Sequence, residues 1–220
     1  MRKSFIHSLL FATIILSSLS FSVAGAVLPG QWTIATTVTA RPRCFLTTPT
    51  AFWVGTDNGI WVTTDSGATW TANNSGLTSL SIKGLVLVNS VYYAATEGGG
   101  VFKSTDGTTW TAFSTGLGII STTAIAAVGN DVFVGTYGGG VYWLNNTTWT
   151  SVNTGLSATA QITSLAVSGT DLIAAGTLIY NDNHHVFKTS DLRIGGVLEG
   201  SAGQSLRIVR RKGNTNTLLD

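Results

Sequence analysis

The chain has 220 residues, with 12 Lys and Arg against 10 Asp and Glu, so its formal charge is +2. Only 10% of residues are charged, against ~25% in an ordinary soluble domain, and neither sign dominates, which excludes a nucleic-acid-binding surface. Twenty-six glycines and a single Met argue against helices and for short strands joined by tight turns.

In chain order, Met1 to Lys3 give a short positive start and Phe5 to Val23 an apolar run. Ala24-Gly25-Ala26 then supplies a small-x-small exit. Together these predict a secretory signal over 1–26, cleaved after Ala26 and leaving no membrane anchor. The expected location is secreted, periplasmic or cell-surface. The one cysteine, Cys44, cannot form an internal disulfide and reads as a small buried hydrophobe.

The next stretch repeats. VGTDNGIWVTTDSGATWTANNSGL from Val54 aligns with AATEGGGVFKSTDGTTWTAFSTGL from Ala94 and with VGTYGGGVYWLNNTTWTSVNTGL from Val134. Thr56, Thr96 and Thr136 mark the common phase, and a looser fourth copy starts at Ala174. The second unit predicts four strands, Ile82 to Val88, Val91 to Thr96, Val101 to Ser104 and Trp110 to Ser114. They are separated by turns at Asn89-Ser90, Glu97 to Gly100 and Asp106-Gly107. A four-stranded antiparallel meander at this period is a β-propeller blade. The expected fold is therefore all-β, a propeller of about four recognisable four-stranded antiparallel blades over 27–191. The period has no 3.6-residue apolar stripe, which excludes helical solenoids.

The third turn carries the motif Thr63-x-Asp65-x-Gly67-x-Thr69-Trp70. A copy one residue shorter reads Ser104-x-Asp106-Gly107-x-Thr109-Trp110, and a reduced one keeps only Thr148-Trp149. This form resembles the Asp box of the bacterial neuraminidase repeat. It is similar to boxes in propellers of the sortilin, xyloglucan-cleaving glycosidase and photosystem II assembly factor type. The resemblance covers about Trp32 to Asp191 and implies the propeller fold without implying an activity. A turn Asp or Ser bonds nearby backbone amides and the Trp supplies apolar area, so the motif reads as a structural staple packed over its own hairpin. The box aspartates would stand too far apart to share one bond, so no catalytic residue is assigned to them.

The turns between second and third strands lie on the opposite face. They offer Asp57, Glu97 and Tyr137, and in an enlarged fourth turn Tyr180, Asp182, His184 and His185, as candidate binding residues. Adjacent histidines with one Asp lack the spacing of a metal motif, so neither metal nor cofactor is expected. The glycine runs precede strands, not helix N-termini, and carry no phosphate-binding lysine. Arg41 and Arg43, read as neighbours in one loop, are the only arginines between the signal and residue 192. A sialidase arginine cluster is therefore missing. The function that follows is an exported, non-catalytic scaffold for a protein or glycan partner. The alternative is a glycoside-hydrolase-like propeller, or a truncated fragment of one, with Asp57, Glu97 and Asp182 as its acids.

The repeat stops mid-blade. Residues 192–220 form a divergent basic tail that includes Arg193, Arg207, Arg210, Arg211 and Lys212. Trp32-Thr33 resembles the opening of a fourth strand and could close a small ring. The abrupt change of composition favours the reading of an incomplete larger propeller.

Overall fold

The computed structural model describes residues 34–154, 156, 159–178, 184–189, 209–212 and 215–218. Among them there are strands and turns and no helix. The predicted signal over 1–26 and the Trp32-Thr33 pair lie outside the described residues.

Blade one consists of β1 (Pro42–Thr47), β2 (Phe52–Thr56), β3 (Gly59–Thr63) and β4 (Thr71–Ala72), paired in chain order. Blade two repeats this with β5 (Ile82–Val88), β6 (Val91–Thr96), β7 (Gly100–Ser104) and β8 (Thr111–Ala112). Blade three uses β9 (Thr122–Val128), β10 (Asp131–Thr136), β11 (Val141–Asn145) and β12 (Thr148–Ser151). A fourth sheet has β13 (Ala160–Ser168), β14 (Asp171–Leu178) and β15 (His184–Thr189). In the tail, β16 (Val209–Lys212) and β17 (Thr215–Leu218) form a separate hairpin.

Every pairing between consecutive strands is antiparallel, as the short turns joining them require. The Asn89-Ser90 turn shows why. Both residues sit at positive φ, 48° and 62°, the two-residue hairpin geometry whose twist matches that of the flanking strands.

In the three blades and the fourth sheet the cores lie between neighbouring sheets. Trp53, Ile60 and Val62 of blade one meet Ile82, Leu85, Ala94, Phe102 and Trp110 of blade two. Ala95 and Val101 of blade two meet Val132, Val134 and Trp149 of blade three. Phe133 and Val141 of blade three meet Ala160, Ile162 and Leu172 of the fourth sheet. Because side chains alternate across a strand, the neighbours Ala94 and Ala95 face different cores, as do Phe133 and Val134. Strands covered on both faces must be apolar at consecutive positions. This is why they read as continuous apolar runs and not as alternating patterns. Burying one such large side chain contributes about 1.5–3 kcal/mol.

Two tryptophans of the third-turn motif, Trp110 and Trp149, correct one expectation, because they staple blades together, whereas Trp70 lies near Gly67 of its own turn. Trp110 donates its backbone amide to Ser75 O at 2.8 Å and its indole N–H to Asn73 O at 3.0 Å, both in the preceding blade. Trp149 does the same one blade on, to Thr115 O at 2.8 Å and Phe113 O at 2.7 Å. A single sheet offers its outermost strand no cover, so the large side chain finds its apolar surroundings, and its acceptor, next door. Gly76 and Gly116 sit where these tryptophan carbonyls arrive, at φ of 85° and 92°, and a Cβ at either position would collide with the carbonyl oxygen.

Candidate binding face

The end of each blade that holds the second-to-third-strand turn is built the same way three times. Thr56, Thr96 and Thr136 are fully buried. Their hydroxyls donate to Gly59 O, Gly100 O and Gly140 O at 2.8 to 2.9 Å, closing the turn from inside. The turn then docks on the segment that enters the next sheet: the amides of Gly59, Gly100 and Gly140 donate to Leu80 O, Ile120 O and Ala160 O. The residue after each threonine is thereby held at the rim, and these residues are Asp57, Glu97 and Tyr137. Their amides donate to the carbonyls of Arg41, Ser81 and Ser121 at 2.9 to 3.1 Å.

A second periodic feature supplies their neighbours. The first strand of each of the three blades and of the fourth sheet carries one unmatched residue. Arg43 lies between the pairs Pro42↔Thr56 and Cys44↔Gly55, and Lys83 between Ile82↔Thr96 and Gly84↔Ala95. Thr123 and Thr163 occupy the same place in β9 and β13. These are β-bulges at a constant spacing, and a bulge re-aims the side chain it carries. Arg43 is accordingly a strand residue and not the loop residue expected. It grips Asp57 with two bonds, Nε to Oδ1 at 2.6 Å and Nη2 to Oδ2 at 2.8 Å. Lys83 meets Glu97 Oε2 at 2.6 Å, and Ser81 Oγ donates to the same oxygen at 3.1 Å. Thr123, lacking charge, donates its hydroxyl to Ile162 O.

Between blades two and three these residues enclose a cleft of about 420 Å3, lined by Lys83, Glu97, Ser121, Thr122, Thr123 and Tyr137. Tyr137 is 59% exposed and stands at its edge as an aromatic surface. The electrostatics are those of held anions. Asp57 is pushed below the ordinary carboxylate range, first by its hydrogen bonds from Arg43 and then by the charges of Arg43, Lys83 and Arg41. Glu97 is pushed down by Lys83 and by the Ser81 hydroxyl.

The opposite ends of the blades hold the other two aspartates. Asp65 accepts from Thr69 N at 2.9 Å, Thr69 Oγ1 at 2.6 Å and Thr63 Oγ1 at 2.7 Å. Its pKa falls to about 2, chiefly through Thr69. Asp106 accepts from the amides of Thr108 and Thr109 at 2.8 Å each and from Ser104 Oγ at 2.9 Å. It is held far below the ordinary range by those amides. In both turns the first hydroxyl also accepts from the glycine amide, Gly67 N at 2.9 Å and Gly107 N at 2.8 Å. Blade three has a tight hairpin at Asn146-Thr147 instead, closed by the Asn145↔Thr148 pair and with Asn146 at φ 56°, and its fourth strand is longer in consequence.

The structure thus brings Glu97 and Tyr137 to one cleft and places Asp57 beside it, in blade one. Tyr180 and Asp182 lie outside the described residues. His184 and His185 lie in strand β15, paired with Thr177 and Gly176, and not in the enlarged turn expected for them. Among the described residues no three His, Cys, Asp or Glu cluster as metal ligands. Cys44 is mostly buried against the first inter-blade core, and burial raises its thiol to about 11, well away from nucleophilic use. Sequence reading missed Lys83, Ser81, Ser121 and Thr123. The signal available was their spacing, since 41, 81 and 121, and likewise 43, 83, 123 and 163, fall forty residues apart.

Comparison with known proteins shows the fold. The extracellular domain of a protein described as a hybrid two component system from B. thetaiotaomicron superposes at a TM-score of 0.57 with 14% identity, over 74% of this chain and 23% of that one. The RRP9 WD40 repeats give 0.51 and 12%, over 68% and 51%. An ancestral GH74 enzyme gives 0.50 and 21%, over 66% and 24%. The architecture is a β-propeller one. The chain spans between about a quarter and a half of these proteins. No curated protein matches the sequence. The family described as "AAA domain" matches residues 172–220, a stretch that begins in β14 and contains no G-x-x-x-x-G-K-[ST] phosphate loop.

Proposed function

We propose that this chain is an exported, non-catalytic binding propeller whose glycine-turn face takes a glycan. The observation that carries the reading is the cleft beside Tyr137. An exposed aromatic ring provides rigid contact area for the apolar face of a sugar at low entropic cost. Around it stand the Lys83–Glu97 pair and the hydroxyl-bearing Ser121 and Thr123, which can exchange hydrogen bonds with sugar hydroxyls. The Asp-box reading of Thr63 to Trp70 and Ser104 to Trp110 belongs to the same proposal, as the architectural end of a scaffold. So does export through a signal over 1–26, in keeping with the extracellular neighbour; no helix among the described residues is long and apolar enough to cross a membrane.

The glycosidase alternative is the weaker one on electrostatic grounds. Hydrolysis of a glycosidic bond needs one carboxyl raised, so that it is protonated and can act as general acid. Of the three acids of that reading, Asp57 and Glu97 are both lowered and both engaged by cations, and Asp182 lies outside the described residues.

The test is a glycan array probed with the purified chain, followed by calorimetry on the best ligand. The reading expects saturable binding that Tyr137→Ala abolishes without lowering the melting temperature, and no release of reducing ends. Absence of any glycan binding overturns it. Release of reducing sugar that Glu97→Gln abolishes overturns it in favour of the hydrolase.

A further inference from the structure

We infer that the ligand of this face is an acidic oligosaccharide, one bearing uronic carboxylates, bound with its acid group at Arg41 and a sugar ring on Tyr137. The inference rests on the glycan reading above and deepens it.

The argument is one of charge left over. The face holds three cations, Arg41, Arg43 and Lys83, and two anions, Asp57 and Glu97. In blade two the residue preceding the bulged strand is Ser81, and its side chain bonds the turn carboxylate, Glu97. The same place in blade one belongs to Arg41, whose carbonyl is fixed by the Asp57 amide. Asp57, however, is already taken at both oxygens by Arg43. Arg41 is exposed and makes no ion pair among the described residues. Its fork of donors is therefore free for a planar carboxylate, the partner that a guanidinium matches with two bonds.

Polarity runs in one direction across the face. Blade one presents Arg41 beyond a neutralised pair, blade two a neutralised pair, and blade three Thr123 and Tyr137 without charge. A ligand that satisfies both ends carries an anion at one end and an uncharged apolar ring face at the other. Sheets pack about 10 Å apart, so blades one and three stand roughly 20 Å apart, a reach that calls for an oligosaccharide and not a monosaccharide. An acidic peptide would find the anion site but offers no sugar face to Tyr137.

The experiment is calorimetric titration of the purified chain with oligogalacturonate and with the same oligosaccharide methyl-esterified. The free acid should bind roughly tenfold more tightly at low salt, the value of one charge-assisted contact, and lose that preference as salt is raised. Arg41→Gln should remove the preference for the free acid. Equal affinity for acid and ester overturns the inference while the glycan reading stands, as does binding confined to neutral glycans. Failure to bind any glycan overturns both. Poly-glutamate binding as well as oligogalacturonate does, with Tyr137→Ala without effect, overturns the assignment of a sugar.

Discussion

The two ends of the blades hold the same kind of residue for opposite purposes. At the third-turn end, Asp65 and Asp106 are surrounded by amides and hydroxyls of their own loop, within four residues in sequence. At the glycine-turn end, Asp57 and Glu97 are met by long cationic side chains from a different strand, fourteen residues away. All four are lowered, so a shifted carboxylate alone does not mark a site. What separates the ends is the source of the stabilisation. Local amides fix a turn and leave nothing over for a ligand, whereas exposed ion pairs contribute little to stability and can exchange partners.

The largest effect that sharpens this contrast is expected at the staple beneath the aspartate turn. Trp110→Ala should cost about 3–5 kcal/mol in denaturant unfolding, because the indole is 2% exposed between two blades. A loss under about 1 kcal/mol would show that the blade interface does not depend on it. Next comes the turn itself. Asp106→Ala should lower the melting temperature by several degrees, while Glu97→Gln leaves it within the error of the measurement and alters ligand affinity. The reverse pattern would break the division between architecture and recognition.

The pH dependence follows from the same bonds. Asp65 and Asp106 have folded pKa values below those of the unfolded chain. Their stabilisation is therefore complete above the ordinary carboxylate range and is lost as pH falls from about 4 towards 2. Acid titration of stability should show this loss, and Asp65→Asn with Asp106→Asn together should flatten it. Removing Arg43 or Lys83 should leave that acid limb in place.

The smallest effect compares two tryptophans. Trp110→Phe deletes the bond to Asn73 O and should cost about 1 kcal/mol. The indole N–H of Trp70 is buried with no acceptor, so Trp70→Phe should cost markedly less in the same unfolding assay.

Much of the fold was legible because propeller strands announce themselves by turns. The Asn89-Ser90 hairpin, the Thr56/Thr96/Thr136 phase and the Trp110/Trp149 spacing all located blades directly. The partner of each tryptophan was not legible, because the acceptors Asn73 O and Phe113 O are backbone atoms and carry no side-chain signature. The site was half visible. Glu97 and Tyr137 stood out as chemistry-bearing residues in glycine turns. Lys83 and Arg43 did not, because a bulge is a matter of register between strands, and a lysine in an apolar run reads only as an interruption.

The most direct test of the account is a titration of the purified chain with oligogalacturonate, following the fluorescence or chemical shifts of Tyr137 and the release of reducing ends in the same sample. The account predicts saturable changes at Tyr137, their loss in Tyr137→Ala at unchanged melting temperature, and no sugar release. Sugar release abolished by Glu97→Gln, or an unperturbed Tyr137 at saturating ligand, would contradict it.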